Sequence, residues 1–224
     1  MLARAVSAEV EVSGVQGAVD AASVSGDVNV TGQPRQVRGS STSGNVRIEA
    51  TTTAVAANST SGNVEVVGTV REAINAETVS GGVEVRSPAA EISTKSVSGT
   101  ITVDGATRRL SATTVSGEIE VRTSRLQHGA FESVSGSISY IGDVEPNGAL
   151  SMVSHSGNVD VSLPRGLAAR FQAATFSGGI DTDFGGNAVR SGDGPGRQLD
   201  FTSGNGGALI TVKSFSGEID LQAR

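Results

Sequence analysis

The sequence predicts an all-β chain: one parallel β-solenoid of about ten to eleven coils, with an 18–21-residue repeat and a C-terminal cap. Three observations carry this. First, Ser-Gly followed by x-apolar-x-apolar recurs with its serine at Ser25, Ser43, Ser61, Ser80, Ser98, Ser116, Ser135, Ser156, Ser177 and Ser216, spaced 18, 18, 19, 18, 18, 19, 21, 21 and 39 residues apart. A fixed period near 20 residues marks stacked repeats. Second, the residues three and five after the serine are apolar and alternate with polar ones, as in Val28 and Val30, Val46 and Ile48, Val64 and Val66, Ile101 and Val103, or Ile219 and Leu221. This is the period of a half-buried strand, and only Ile180 with Thr182 departs from it. Third, a further alternating stretch precedes each serine, as in Val37, Val55, Ile74, Ile92, Leu110 and Leu150 six residues upstream, with Ser or Thr always two residues upstream.

Two strands per repeat, each with one apolar face and no helix between them, bury that face only by coiling and stacking on the next repeat. The phase of the valines excludes a flexible Gly/Ser linker, in spite of 30 glycines. Glycine after the serine is read as a corner residue, needed where a Cβ would clash or where φ is positive. The repeat serines are read as facing inward, their hydroxyls satisfying one another from coil to coil in structural rows.

In chain order, Ser7-Ala8-Glu9-Val10-Glu11-Val12 is a degenerate first copy, so the chain begins inside a repeat. Either a preceding segment supplies a cap or that end binds something, which admits end-to-end self-association. One solenoid domain is expected over residues 1–224. Within it, 1–122 form thin, regular coils, with polar turns such as Thr31-Gly32-Gln33-Pro34-Arg35. Residues 123–184 form wider coils, because the turns lengthen where the aromatics Phe131, Tyr140, Phe171, Phe176 and Phe184 enter. Residues 185–198 form a Gly-rich loop, and 199–224 a closing coil and cap in which Phe184, Phe201 and Phe215 cover the open end.

Composition narrows the function. A formal charge of −6 with 17 scattered Lys and Arg argues against nucleic acid. No run approaches a membrane span and the amino terminus lacks the layout of a signal peptide. Cysteine is absent, so there is no disulfide framework or thiolate metal site. No cofactor motif is present, and no Ser, His and acid constellation supports nucleophilic chemistry. His155 adjoins Ser156, but neighbours on a strand point to opposite faces.

The repeated [Val/Thr]-Ser-Gly-[Asp/Asn/Glu]-Val-x-Val, ending in Ser214-Phe215-Ser216-Gly217-Glu218-Ile219-Asp220-Leu221, resembles a bacterial β-strand-repeat family of adhesin type, a domain of unknown function. The resemblance implies a right-handed parallel β-solenoid in an extracytoplasmic cell-envelope protein, and it brings no catalytic residues with it.

The expected function is therefore a non-enzymatic, adhesin-like envelope module whose β-face binds a protein or an envelope polymer. One candidate surface is the row just before the serines: Val79, Val97, Val115, Val134 and Phe176, with Val24, Thr42, Thr60, His155 and Phe215. Strict alternation points it outward, as an apolar stripe for a partner. The preferred reading is that a bulge near the glycine turns it inward, and the accessibility of Val97 and Val115 decides. A second row, Asn29, Arg47, Glu65, Glu84, Thr102, Glu120, Ser139, Asp160, Asp181 and Asp220, is read as a solvated charged face. Asp160 and Asp181, expected on consecutive coils, and Asp183 are the weak candidates for a divalent cation. The same aspartates with Arg165 and Arg170 are the one cluster that would suit a carbohydrate-active enzyme, the least favoured class after structural self-assembly.

Overall fold

Alternation of in-facing Val, Ile and Ala with out-facing polar residues gives strands throughout, and the computed structural model, which describes residues 1–190 and 195–224, contains strands and no helix. It is a parallel β-solenoid of about 8 turns with repeats about 19 residues apart. These regular turns carry the serines from Ser25 to Ser156. The larger number counted from sequence includes a degenerate first coil and two last coils laid down out of chain order. Two compact units, Met1–Thr107 and Arg108–Arg224, divide the chain.

The first unit comprises β1 (Leu2–Ala5), β2 (Val10–Val12), β3 (Ala18–Ser23), β4 (Val28–Gly32), β5 (Gln36–Ser41), β6 (Val46–Ser61), β7 (Val64–Ser80), β8 (Val83–Arg86), β9 (Ala89–Ser98) and β10 (Ile101–Asp104). All pairings within it are parallel and fall one repeat apart, beginning with the degenerate copy, where Val10 lies beside Val28. Val46 pairs with Val64, Val64 with Val83 and Val83 with Ile101, and all four are essentially buried. Each such side chain removed from water contributes roughly 1.5–3 kcal/mol.

Several coils have no open turn where one was expected. Instead β6 continues from one side of the coil to the next, with a register shift between Thr52 and Ala54. The extra residue lies in β7, between Val70 and Ala73, and a bulge of this kind bends a strand while interrupting its ladder only locally.

The second unit comprises β11 (Thr107–Ser116), β12 (Ile119–Ser135), β13 (Ile138–Ser156), β14 (Val159–Leu163), β15 (Ala169–Ser177), β16 (Ile180–Thr182), β17 (Val189–Arg190), β18 (Arg197–Ser203), β19 (Ala208–Ser216) and β20 (Ile219–Ala223). Its coils are filled by larger side chains, as the longer repeats require. Phe131 and Tyr140 are fully buried with ring centroids 5.8 Å apart, and Leu126, Leu150 and Met152 join them. Burial holds the Tyr140 phenol above its ordinary pKa. The 142–148 segment, one of the lengthened turns expected within 123–184, is continuous strand within β13, with Asn147 at a left-handed φ of 65°.

The end of the chain does not follow sequence order. β19 lies between β13 and β15, parallel to both, and β20 lies between β14 and β16. The rung of Ser216 is therefore inserted between those of Ser156 and Ser177. The section 199–224, expected as a closing cap, splits in two. β18 does cover the outer edge of β15, antiparallel, with Phe171 stacked against both Phe184 and Phe201 at 4.9 Å. By contrast β19 and β20 are interior rungs, and Phe215 covers no end. An antiparallel strand can close a parallel edge because it satisfies the same N–H and C=O groups. Within the expected loop 185–198, Val189 and Arg190 pair with β18, and residues 191–194 lie outside the described residues.

Candidate functional site

The corner of each repeat decides which side chains reach the surface. The residue two before the repeat serine is buried, the next two are exposed, and burial resumes three residues after the serine, as in Ser59, Thr60, Ser61 and Val64. The chain turns over the exposed pair, so alternation fails there. This corrects two expectations. The repeat serines Ser25, Ser43, Ser61, Ser80, Ser98, Ser116, Ser135, Ser156, Ser177 and Ser216 do not point inward, although they do stack in register, as Ser61 with Ser80 and Ser135 with Ser156.

The inward hydroxyls belong to the Ser or Thr two residues earlier, and they do not bond to one another. Each donates to the carbonyl of the corner residue in the neighbouring coil: Ser41 to Gly26 at 2.8 Å, Ser59 to Gly44 at 2.8 Å and Thr78 to Gly62 at 2.9 Å. In the second unit Ser154 reaches Gly136, Ser214 reaches Gly157 and Thr175 reaches Gly217, the last two through the inserted rung. The exception is Thr114, whose Oγ1 is buried without a hydrogen-bond partner.

Glycine is needed because of that same carbonyl. A Cβ on Gly62 would stand 2.3 Å from the oxygen of Gly44, and one on Gly136 would stand 1.9 Å from that of Gly117. Side chains one position on continue the stitching outside, where Oδ1 of Asp27, Asn45 and Asn63 accepts from the backbone N–H of Asn45, Asn63 and Gly82 in turn.

The row before the serines faces outward, contrary to the preferred inward reading. Val79, Val97, Val115 and Val134 are between 47% and 50% exposed, and Phe176 and Phe215 about as much. The stripe residue keeps the outward direction that alternation gives it after the buried residue before it, and the serine that follows is exposed as well. In the first unit the stripe is Val24, Thr42, Thr60, Val79 and Val97. In the second, spatial order makes it Val115, Val134, His155, Phe215 and Phe176. Its last three rings stack face to face, His155 on Phe215 at 4.9 Å and 8°, and Phe215 on Phe176 at 4.9 Å and 6°. Sequence order hid this stack, since Phe215 reaches its place only through the inserted rung.

The charged row holds together by pairing. In the first unit Arg47 lies 2.8 Å from Glu65, and Arg86 bridges Glu65 and Glu84. In the second unit Asp160 and Asp181 are not on consecutive rungs, because Asp220 stands between them, in register with both. Partial burial raises the Asp160 carboxyl above its ordinary pKa, and Asp220 and Glu218 add to this. Asp183 is turned to the backbone, where its Oδ2 accepts from the N–H of Ala223. Among the described residues no group of three or more His, Cys, Asp or Glu is placed to hold a metal ion. Nor does Arg170 face the aspartates. Its guanidinium makes a two-pronged contact with Asp200 across β15 and β18, at 2.7 and 3.1 Å, and this holds the Asp200 carboxyl low.

Two adjoining hollows on the outer surface of β15, β18 and β19 were not foreseen. One, of about 410 Å³, is lined by Phe176, Arg197 and Lys213 around Ala174, and the other, of about 260 Å³, by Gln172, Gln198, Asp200 and Thr211, with Ala174 and Lys213 common to both. No local motif signals them, because β18 meets β15 out of repeat register and antiparallel.

No helix among the described residues is long and apolar enough to cross a membrane. Residues 89–222 match the family model described as Toastrack DUF4097. Neither the curated proteins nor the solved structures yield a match.

Proposed function

The chain belongs to the Toastrack DUF4097 family, a β-repeat family of uncharacterised function, and from this premise we propose that it is a non-enzymatic, adhesin-like binding module of the cell envelope, working outside the cytoplasm. The observation that carries the reading is the outward stripe. Exposed large apolar side chains are ordinarily scattered, whereas here they recur at one position of successive rungs, with a row of exposed serine hydroxyls beside them. Glycine and, except at the corner of Thr114, the buried hydroxyls fix the corners, so the stripe loses little conformational entropy on binding. Repetition also suits a repetitive partner, since successive rungs present a side chain at the same position about 4.8 Å apart. An envelope polymer has that property.

The test is co-sedimentation with isolated bacterial cell-wall polymer. Wild-type protein is expected in the pellet. The double variants Val79→Ser/Val97→Ser and Val115→Ser/Val134→Ser are expected to stay in solution with unchanged thermal melting. Wild-type protein that stays in solution, or variants that sediment like wild type, would refute the reading.

A further inference from the structure

We propose that the paired hollows on β15, β18 and β19 form a subsite for an anionic saccharide, a sugar unit that carries a carboxylate. This rests on the reading of the rungs as a binding surface and names the chemistry of one part of it. Four features of the pair converge on that ligand.

The larger hollow is cationic in a chain of net charge −6. Arg197 and Lys213 both line it, both are exposed, and neither makes an ion pair among the described residues. A carboxylate placed between them would gain two charge-assisted hydrogen bonds, the stronger kind. Next, the Phe176 ring forms part of the wall. It ends the His155–Phe215–Phe176 stack, and no further ring among the described residues is stacked on it. The electron-rich face of such a ring attracts the weakly positive C–H groups on one side of a sugar.

The smaller hollow is lined by amide, hydroxyl and carboxylate groups, namely Gln172, Gln198, Thr211 and Asp200, suited to hydroxyls that both donate and accept. Part of it is fixed in advance, because Arg170 holds Asp200 from one side and Gln172 donates to the same carboxylate at 3.3 Å. Finally, Ala174 lies at the junction of the two hollows, where a longer side chain would divide them. Their volumes, about 410 and 260 Å³, are of the order of small-ligand sites. A charge recognised beside a ring face, with hydroxyl-binding groups next to it, describes an acidic sugar better than a lipid, which would leave the polar hollow unfilled.

Titration calorimetry with trigalacturonate as the acidic probe and maltotriose as the neutral one tests the assignment on the full chain. Trigalacturonate is expected to bind and maltotriose not. Lys213→Gln and Arg197→Gln should each weaken trigalacturonate binding roughly tenfold, the worth of one charged hydrogen bond. Phe176→Ala should weaken it without altering its salt dependence. In wild-type protein, amide NMR shifts should move at Ala174, Gln198 and Thr211, which keeps the test open if a variant folds poorly. Equal binding of the two sugars, no binding of either, or full binding by Lys213→Gln would overturn the inference. If trigalacturonate fails while wild-type protein still sediments with cell-wall polymer, the subsite is wrong and the stripe stands.

Discussion

Replacing Gly62 by Ala puts one methyl group into the rail of corner glycines. The new Cβ would stand 2.3 Å from the oxygen of Gly44, 2.6 Å from its carbon and 3.1 Å from the nitrogen of Asn45, all backbone atoms. No rotamer relieves such a contact, so the two rungs must part by about 1 Å to reach ordinary van der Waals separation. Three short hydrogen bonds span that gap: Ser59 Oγ to Gly44 O at 2.8 Å, Val46 N to Asn63 O at 2.9 Å and Ser61 N to Thr42 O at 2.9 Å. Losing two of them at about 1 kcal/mol each, and leaving a carbonyl without its donor at about 1–3 kcal/mol, gives a cost of about 3–5 kcal/mol. Gly17→Ala is the control, because nothing lies within 4 Å of its Cβ and its φ is not left-handed. That change should be neutral or stabilise by about 0.4–1 kcal/mol through the unfolded chain. Urea unfolding followed by far-ultraviolet circular dichroism reads both. A Gly62→Ala midpoint equal to that of wild type would refute the steric argument.

Ser59→Ala should destabilise by about 1–2 kcal/mol, since it strands the Gly44 carbonyl, whereas Thr114→Val should stabilise, since its hydroxyl is buried with no partner to lose; urea midpoints of the two variants should move in opposite directions. Asp160 has a raised carboxyl pKa, so between its ordinary value of 3.8 and the folded value the native state binds more protons than the unfolded one, and stability falls as pH rises through that window. Asp160→Asn should therefore be more stable than wild type at neutral pH, with the difference vanishing below pH 3.8, and a constant difference across pH would contradict the assignment.

The coil itself was legible in the sequence because side-chain period and repeat length are local quantities. Val46, Val64 and Val83 announce their own stacking. The corner was half legible. Its glycine was read correctly as a position where Cβ would clash, but strict alternation put Ser61 inward along with Ser59, since alternation holds only while the strand runs straight. The stripe was visible as a row, and strict alternation gave its outward direction; the error was to prefer a bulge at the glycine that would turn it inward. What sequence order concealed altogether is the insertion of the Ser216 rung. The 39-residue gap before it records that something intervenes, and not that the chain builds the Ser177 rung first and fills the space beside it afterwards. The aromatic stack and the paired hollows both depend on that insertion, so neither has a local signature.

Pairs of introduced cysteines measure the rung order directly, in a chain that has no cysteine of its own. Stacked rungs lie about 4.8 Å apart, within disulfide reach, and second neighbours lie about 9.6 Å apart, beyond the roughly 7 Å limit. The account predicts that His155→Cys/Phe215→Cys and Phe215→Cys/Phe176→Cys each form an intramolecular disulfide under mild oxidation in dilute solution, while His155→Cys/Phe176→Cys stays reduced. A disulfide in the His155→Cys/Phe176→Cys protein, with none in His155→Cys/Phe215→Cys, would contradict it.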